Sequence, residues 1–157
     1  MGNEVYDLKV QDFANRKPVS IRSEDTIHQA LVAMGENQVS SLPVTNGAGE
    51  CVGILSTIDL VDITRDTEQD IRDLDLVDLS TKRFLLDKLL QNFGTEIVGD
   101  FMSECLVTVT METSIRSATK KMLSNRIHHL PVVDEKKQLV GIVSSMDLLA
   151  EFADATI

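Results

Sequence analysis

Leu42-Pro43-Val44 leads after eight residues to Gly53-Ile54-Leu55-Ser56-Thr57-Ile58-Asp59. Leu130-Pro131-Val132 leads after the same eight to Gly141-Ile142-Val143-Ser144-Ser145-Met146-Asp147. The copies are 88 residues apart, and neither gains or loses a residue between its Pro and its Asp. Working outward, the match runs without a gap from Val10–Asp62 onto Val98–Ala150. Eighteen of those 53 positions are identical, among them Val10/Val98, Ile27/Ile115, Ala30/Ala118, Met34/Met122 and Asn37/Asn125. A repeat this long is a duplicated fold unit.

One copy predicts β-α-β-β-α. Val19-Ser20-Ile21 alternates apolar and polar, a short strand. Ser23-Glu24-Asp25-Thr26 is rich in capping residues, and Ile27, Ala30, Leu31 and Met34 follow at helical spacing to about Asn37. Leu42 to Thr45 is a second strand, whose Pro43 lacks an N–H and belongs at a strand start or edge. After the turn Asn46-Gly47-Ala48-Gly49, Cys51 to Leu55 is a third strand, and Thr57 to about Arg65 a short helix. In the second copy the strands fall at Leu106–Val109, Leu130–Val133 and Leu139–Val143. Its helices fall at Thr113–Asn125 and from Ser145 to about Phe152. A three-stranded sheet with helices on one face cannot bury both faces alone, so the expectation is an α+β fold of two copies packed sheet to sheet. Residues 1–66 then form repeat 1, 67–97 a linker and 98–157 repeat 2.

The linker opens with seven acids against two arginines between Asp62 and Asp78, a solvated run. Ser80 then caps a helix to Phe93, with Gly94 as its stop. Phe84, Leu85, Leu86, Leu89, Leu90 and Phe93 give it a broad apolar stripe. That stripe either docks on its own module or joins an interface with a partner.

Composition narrows the function. The chain has 157 residues and a formal net charge of −10, which argues against binding along a phosphate backbone but leaves room for one local cationic pocket. No apolar run is long enough to cross a membrane, and the N-terminus carries no signal pattern. Gly2 is followed at position 6 by Tyr, so the myristoylation motif fails. Cys51 and Cys105 offer no disulfide framework and suit a reducing cytoplasm. No Walker loop, nucleophile elbow or H-E-x-x-H is present, and the expectation is a protein without catalytic residues and without a required cofactor or metal.

Ser56-x-x-Asp59 and Ser144-x-x-Asp147 have the form of capping boxes, in which the Ser oxygen accepts a first-turn N–H and the Asp reaches back to the cap. That alone can account for the motif. The functional reading adds that a helix start attracts anions and that an Asp there can accept the two hydroxyls of a ribose.

Tandem units with Leu-Pro-Val and Gly-h-h-Ser-x-x-Asp, where h is apolar, resemble a pair of cystathionine-β-synthase (CBS) domains, the Bateman module, over residues 10–152. The resemblance implies a pseudo-twofold disc with clefts that bind adenosine-containing ligands. It also implies homodimers of discs. By position it implies one site at Met102, Val107, Ile127, His128, His129, Ile142, Ser144 and Asp147, and a weaker one at Ala14, Val19, Val39, Ser40, Ser41, Ile54, Ser56 and Asp59. His129 and Ser41 are also candidates to serve the other copy's ligand. The second copy is favoured because Ile127-His128-His129-Leu130-Pro131-Val132 is similar to the Ile-His-Arg-Leu-Pro-Val of the regulatory γ subunit of AMP-activated protein kinase, whose His and Arg contact phosphate. Here His129 stands at the Arg position, so that charge depends on pH. The plainer alternative is one exposed histidine and one packed on the sheet. Adjacent strand residues face opposite ways, which disfavours a shared metal ion.

The function expected is a stand-alone sensor that binds AMP, ADP, ATP or S-adenosylmethionine and signals to an unidentified effector protein. The alternative is a structural or oligomerisation module with no physiological nucleotide. Neither reading involves nucleic acid or a membrane.

Overall fold

The computed structural model describes residues 4–57, 59–60, 80, 87, 90–91, 93, 95–104 and 107–155. They fall into two compact units. Unit 1 is Met1–Pro18, Ala48–Cys51 and Leu106–Ile157, and unit 2 is Val19–Gly47 and Val52–Cys105. These are not the two sequence repeats. The opening segment of each repeat has joined the body of the other.

The exchange is held by backbone hydrogen bonds that recur in both units. In unit 1, Val10 N–H donates to Thr113 O at 2.8 Å, Gln11 N–H to Met111 O at 2.9 Å, and Ile115 N–H to Leu8 O at 2.9 Å. In unit 2, Val98 N–H donates to Asp25 O at 2.8 Å, Gly99 N–H to Ser23 O at 2.9 Å, and Ile27 N–H to Glu96 O at 2.8 Å. Shifting every number by 88 converts one set into the other. Val10 and Val98 are fully buried and complete the core of the unit they enter.

In unit 1, the short helices α1 (Glu4–Asp7) and α2 (Val10–Phe13) come from the N-terminus. In unit 2, β1 (Ile21–Arg22) runs parallel to β2 (Ser41–Thr45), with α3 (Ile27–Asn37) between them in sequence. β3 (Cys51–Ser56) follows, and its last residues lead into helical Thr57, Asp59 and Leu60. The entering segment supplies α4 (Val98–Phe101) and β4 (Ser103–Glu104), which closes a sheet of order β1-β2-β3-β4. Unit 1 continues with α5 (Ile115–Asn125), the hairpin β5 (His129–Val133) and β6 (Leu139–Ser144), and α6 (Ser145–Asp154).

The cores match position for position. Ile27, Ala30, Met34, Leu42, Val44, Leu55 and Leu60 in unit 2 stand where Ile115, Ala118, Met122, Leu130, Val132, Val143 and Leu148 stand in unit 1. Each long helix faces the sheet through a helical stripe, and each strand buries alternate residues against it. Phe93 also enters the unit 2 core and meets Phe101 edge to face with ring centroids 5.6 Å apart. Thus Phe93 and Leu90 of the expected linker helix pack on their own unit. Phe84, Leu85, Leu86, Leu89 and Gly94 lie outside the described residues, as do the whole acidic run from Asp62 to Asp78 and Cys105.

Three local expectations are adjusted. The first strand of each copy is shorter than its alternation suggests: Ile21–Arg22 in one and a single parallel bridge, Val109 to Val132, in the other. The prolines are mid-strand rather than at a strand start. Val133 N–H donates to Val109 O at 2.9 Å, so the nitrogen of Pro131, two residues earlier, faces the same side but beyond that one-residue bridge, where no donor is needed. Gln38 and Arg126 end the long helices at φ 55° and φ 54°, a left-handed cap more often taken by Gly.

Gly53 and Gly141 owe their place to the entering segments. A Cβ on Gly141 would lie 2.9 Å from Asn15 O, and one on Gly53 would lie 2.6 Å from Ser103 O. Those carbonyls belong to backbone held in place by its own ladder. Gly141→Ala is therefore expected to destabilise the protein by about 1–3 kcal/mol, the usual cost of overpacking. It should move the urea midpoint while the slope stays constant. An unmoved midpoint would show that the entering segment yields freely.

Candidate functional site

The repeated Ser-x-x-Asp is a capping box in both copies. In unit 1, Ser144 Oγ accepts the Asp147 N–H at 3.1 Å and Asp147 Oδ2 accepts the Ser144 N–H at 2.7 Å. In unit 2 the same pair of bonds, between Ser56 and Asp59, measures 3.2 and 3.3 Å. The box fixes each Asp at a strand-to-helix corner through one carboxylate oxygen. Oδ1 of Asp147 has no hydrogen-bond partner among the described residues and remains available as an acceptor.

Around Asp147 the sheet gathers the other candidates. His129 lies directly across from Ser144 in the β5–β6 ladder, so their side chains share a face. Ile142, two residues before Ser144, is on that face too. His128 precedes the strand. Its carbonyl accepts the Ser145 N–H at 2.8 Å, and its ring Nδ1 lies 3.5 Å from Ser145 Oγ. His128 is exposed and His129 half-buried, and Ile127 and Val107 are partly buried against the unit 1 core. In unit 2, Thr57 N–H donates to Ser40 O at 2.9 Å, the counterpart of the Ser145 bond. Ser41 therefore stands beside Ser56 as His129 stands beside Ser144, with Ile54 on the same face. Val19 packs on the unit 2 core, and Val39 is exposed.

The two compact units divide the named residues differently from the repeats at two positions. Ala14 belongs to unit 1, with Ser144 and Asp147, and Met102 belongs to unit 2, with Ser56 and Asp59. The cause is the exchange. Asn15 and Ile142 trade both backbone hydrogen bonds at 3.0 Å, which sets Ala14 beside β6. Ser103 pairs with Ile54, which lays Met102 over Gly53. Asn15 and Ser103 are the residues that sequence reasoning missed. Each lies across from the Ile of its motif, and nothing in residue type marks them.

The surroundings differ in charge. The residue after Asn15 is Arg16, whose Nη2 donates to Gln11 O at 2.8 Å, and Lys17 follows. The residue after Ser103 is Glu104. The described residues of unit 1 hold nine Lys or Arg against ten Asp or Glu. Over its full sequence unit 2 holds six Lys or Arg against fifteen Asp or Glu; its Arg22 is ion-paired with Glu24 at 2.8 Å. Among the described residues no group of three or more His, Cys, Asp or Glu is placed to hold a metal ion. No helix among them is long and apolar enough to cross a membrane.

Comparison with known proteins agrees with this architecture. The chain is 29% identical over 143 residues to the uncharacterized protein MJ1426 of Methanocaldococcus jannaschii, covering 85% of each. Four other curated relatives are longer, and the chain spans between 30% and 54% of their length. Among solved structures it superposes on CBSX2 of Arabidopsis thaliana, crystallised with AMP, at a TM-score of 0.72 and 23% identity, covering 95% of this chain and 99% of that one. It superposes on the CBS domain pair of protein MJ0100, crystallised with 5′-methylthioadenosine and S-adenosyl-L-methionine, at 0.69 and 21%, covering 95% and 98%. The CBS domain model matches twice, at residues 10–66 and 98–154, and the chain therefore belongs to the CBS-domain family as a tandem pair.

Proposed function

We propose that the protein is a regulatory sensor that binds an adenosine-containing ligand, AMP, ADP, ATP or S-adenosylmethionine, and reports it to another chain. The carrying observation is the Asp147 carboxylate. One oxygen is engaged by the Ser144 cap, and the other is available beside a strand end that presents His129 and His128. A carboxylate held this way can accept ribose hydroxyls without giving up its cap. The imidazoles there supply N–H donors of the kind a phosphate needs. The ligands of CBSX2 and MJ0100 support the adenosyl class. The ligand acts as a switch by binding one arrangement of the chain better than another. The reading is of a binding module in the cytoplasm rather than an enzyme.

The same reading includes a homodimer. Met146 and Leu149 on α6 are 64% and 58% exposed, and Leu123 on the adjoining α5 is 73% exposed. Together they form an apolar face that the family resemblance assigns to a second copy.

Melting with each ligand at a hundredfold excess over its Kd is expected to show about 2.7 kcal/mol of stabilisation. Asp147→Ala should weaken AMP binding by calorimetry more than tenfold, since bonds to a charged acceptor contribute about 1.5–3 kcal/mol each. Unchanged AMP affinity in that variant refutes the site. A protein that no adenine compound stabilises is instead the structural module. For the dimer, Leu149→Glu is expected to sediment as a monomer where the parent chain sediments as a dimer. A parent chain that is already monomeric rejects that part of the reading.

A further inference from the structure

We infer that the helix faces of the two units are unlike and complementary, so that in a dimer unit 1 of one copy seats on unit 2 of the second copy. Leu123 enters at Gly35 of the second copy, and Lys120 meets its Glu36. This rests on the homodimer reading and names which faces of the two copies meet.

The first observation is shape. Leu123 is 73% exposed, the most exposed large apolar side chain among the described residues. It shares the outer face of α5 with Arg116, Lys120 and Ser124, away from the buried Ile115, Ala118 and Met122. The equivalent outer face of α3 carries His28, Val32, Gly35 and Glu36. Gly35 stands where Leu123 stands. A glycine inside a helix destabilises it, and nothing in α3 calls for one. Gly35 is exposed, and its backbone is ordinary helix rather than left-handed. A helix with no side chain at one point lets a second helix approach closely there. One unit thus presents a knob where the other presents a hole.

The second observation is charge, and it is independent of the first. α5 carries Arg116, Lys120 and Lys121 and no acid, whereas α3 carries Glu36 and no Lys or Arg. Lys120 lies one turn from Leu123, and Glu36 is next to Gly35. Seating Leu123 at Gly35 therefore brings an ammonium within reach of a carboxylate. The whole units agree: unit 1 is nearly balanced, with ten acids to nine Lys or Arg, and unit 2 has fifteen to six. Unit 2 on unit 2 would press two acidic bodies together and set Gly35 against Gly35, leaving a gap. Unit 1 on unit 1 would set Leu123 against Leu123 and cations against cations. The crossed pairing avoids both like-charge contacts, which are costly at an interface. The flanking apolar positions fit either pairing, since Met146 and Leu149 correspond in sequence to Ile58 and Val61. A twofold axis makes the crossed contact twice, because a residue that meets another across the axis is met in return.

The test measures the dimer Kd of the full chain by sedimentation. Lys120→Glu and Glu36→Lys are each expected to raise it at least about fivefold, because each reversal acts at two contacts. Both reversals in one chain restore the pair, and the Kd should return to within about twofold of the parent value. The Glu36→Lys arm separates a local pair from overall charge. It lowers the net charge of −10 in magnitude, so bulk repulsion alone would make that dimer tighter. Gly35→Leu is expected to raise the Kd at least about tenfold by filling the hole. It should also raise the melting temperature of the monomer, measured below the Kd, because leucine favours a helix. Those opposite signs separate a blocked interface from a damaged fold. A parent chain that dimerises overturns the inference, and leaves the homodimer reading intact, if Glu36→Lys tightens it or leaves it unchanged. A double reversal as weak as the singles, or a Gly35→Leu dimer as tight as the parent, does the same. A parent chain that is monomeric removes both.

Discussion

The structure depends on a reciprocal loan of backbone. Residues 8–15 complete the unit built mainly from the second repeat, and residues 96–103 complete the unit built from the first. Each loan satisfies main-chain groups at the start of a long helix. Ile27 N–H and Ile115 N–H are first-turn donors with no partner inside their own helices, and they are met by Glu96 O and Leu8 O. Each loan also delivers one fully buried valine. Neither repeat can close its core from its own sequence. Either repeat alone would be left with a row of unpaired donors and a missing wall, so the folded object is necessarily the pair.

Duplication followed by divergence leaves a readable pattern. The identical or near-identical positions are those that build the cores, from Ile27/Ile115 through Leu60/Leu148. The capping boxes are retained because a strand that turns sharply into a helix must satisfy that helix's first N–H groups whatever the ligand. Change has collected at positions free of both duties: the residues before Leu-Pro-Val and the residue after the entering bridge. Of these, the residues before Leu-Pro-Val stand beside the boxes, His129 directly across from Ser144. Charge also differs between the units as a whole, with fifteen acids against six Lys or Arg in unit 2 and ten against nine in unit 1.

Much of this is legible in sequence. Helix limits at Asn37 and Asn125 follow from apolar spacing, and the strands at Leu42 and Leu130 follow from the repeated motif, because burial and periodicity are properties of residue type. The capping boxes are equally legible, since a hydroxyl and a carboxylate three residues apart have one geometry at a helix start. The exchange is hidden. Val10 and Val98 announce that they are buried but not in which core, and the bonds that decide it are main-chain bonds, which any residue can make. Hence the repeat pattern does not show that Ala14 falls in the unit of Ser144 and Met102 in the unit of Ser56, and it passes over Asn15 and Ser103. The role of Gly53 and Gly141 is hidden for the same reason: the atoms that exclude a Cβ are carbonyls of segments distant in sequence.

The exchange also bears on how binding at a site would be felt elsewhere. A ligand on Asp147 Oδ1 leaves the Ser144 cap intact, so it need not melt or form a helix to act. What it would touch is the strand end, where β6 is paired through Ile142 with Asn15. Asn15 is joined within a few residues to Val19 and β1, which belong to unit 2. The Asn15–Ile142 bridge thus lies four residues of chain from Val19, where unit 2 begins. The Ser103–Ile54 bridge lies likewise a few residues of chain from Val107, in unit 1. Coupling of this kind needs no long path of packed side chains. It needs two states of a short covalent tether and a ligand that prefers one of them.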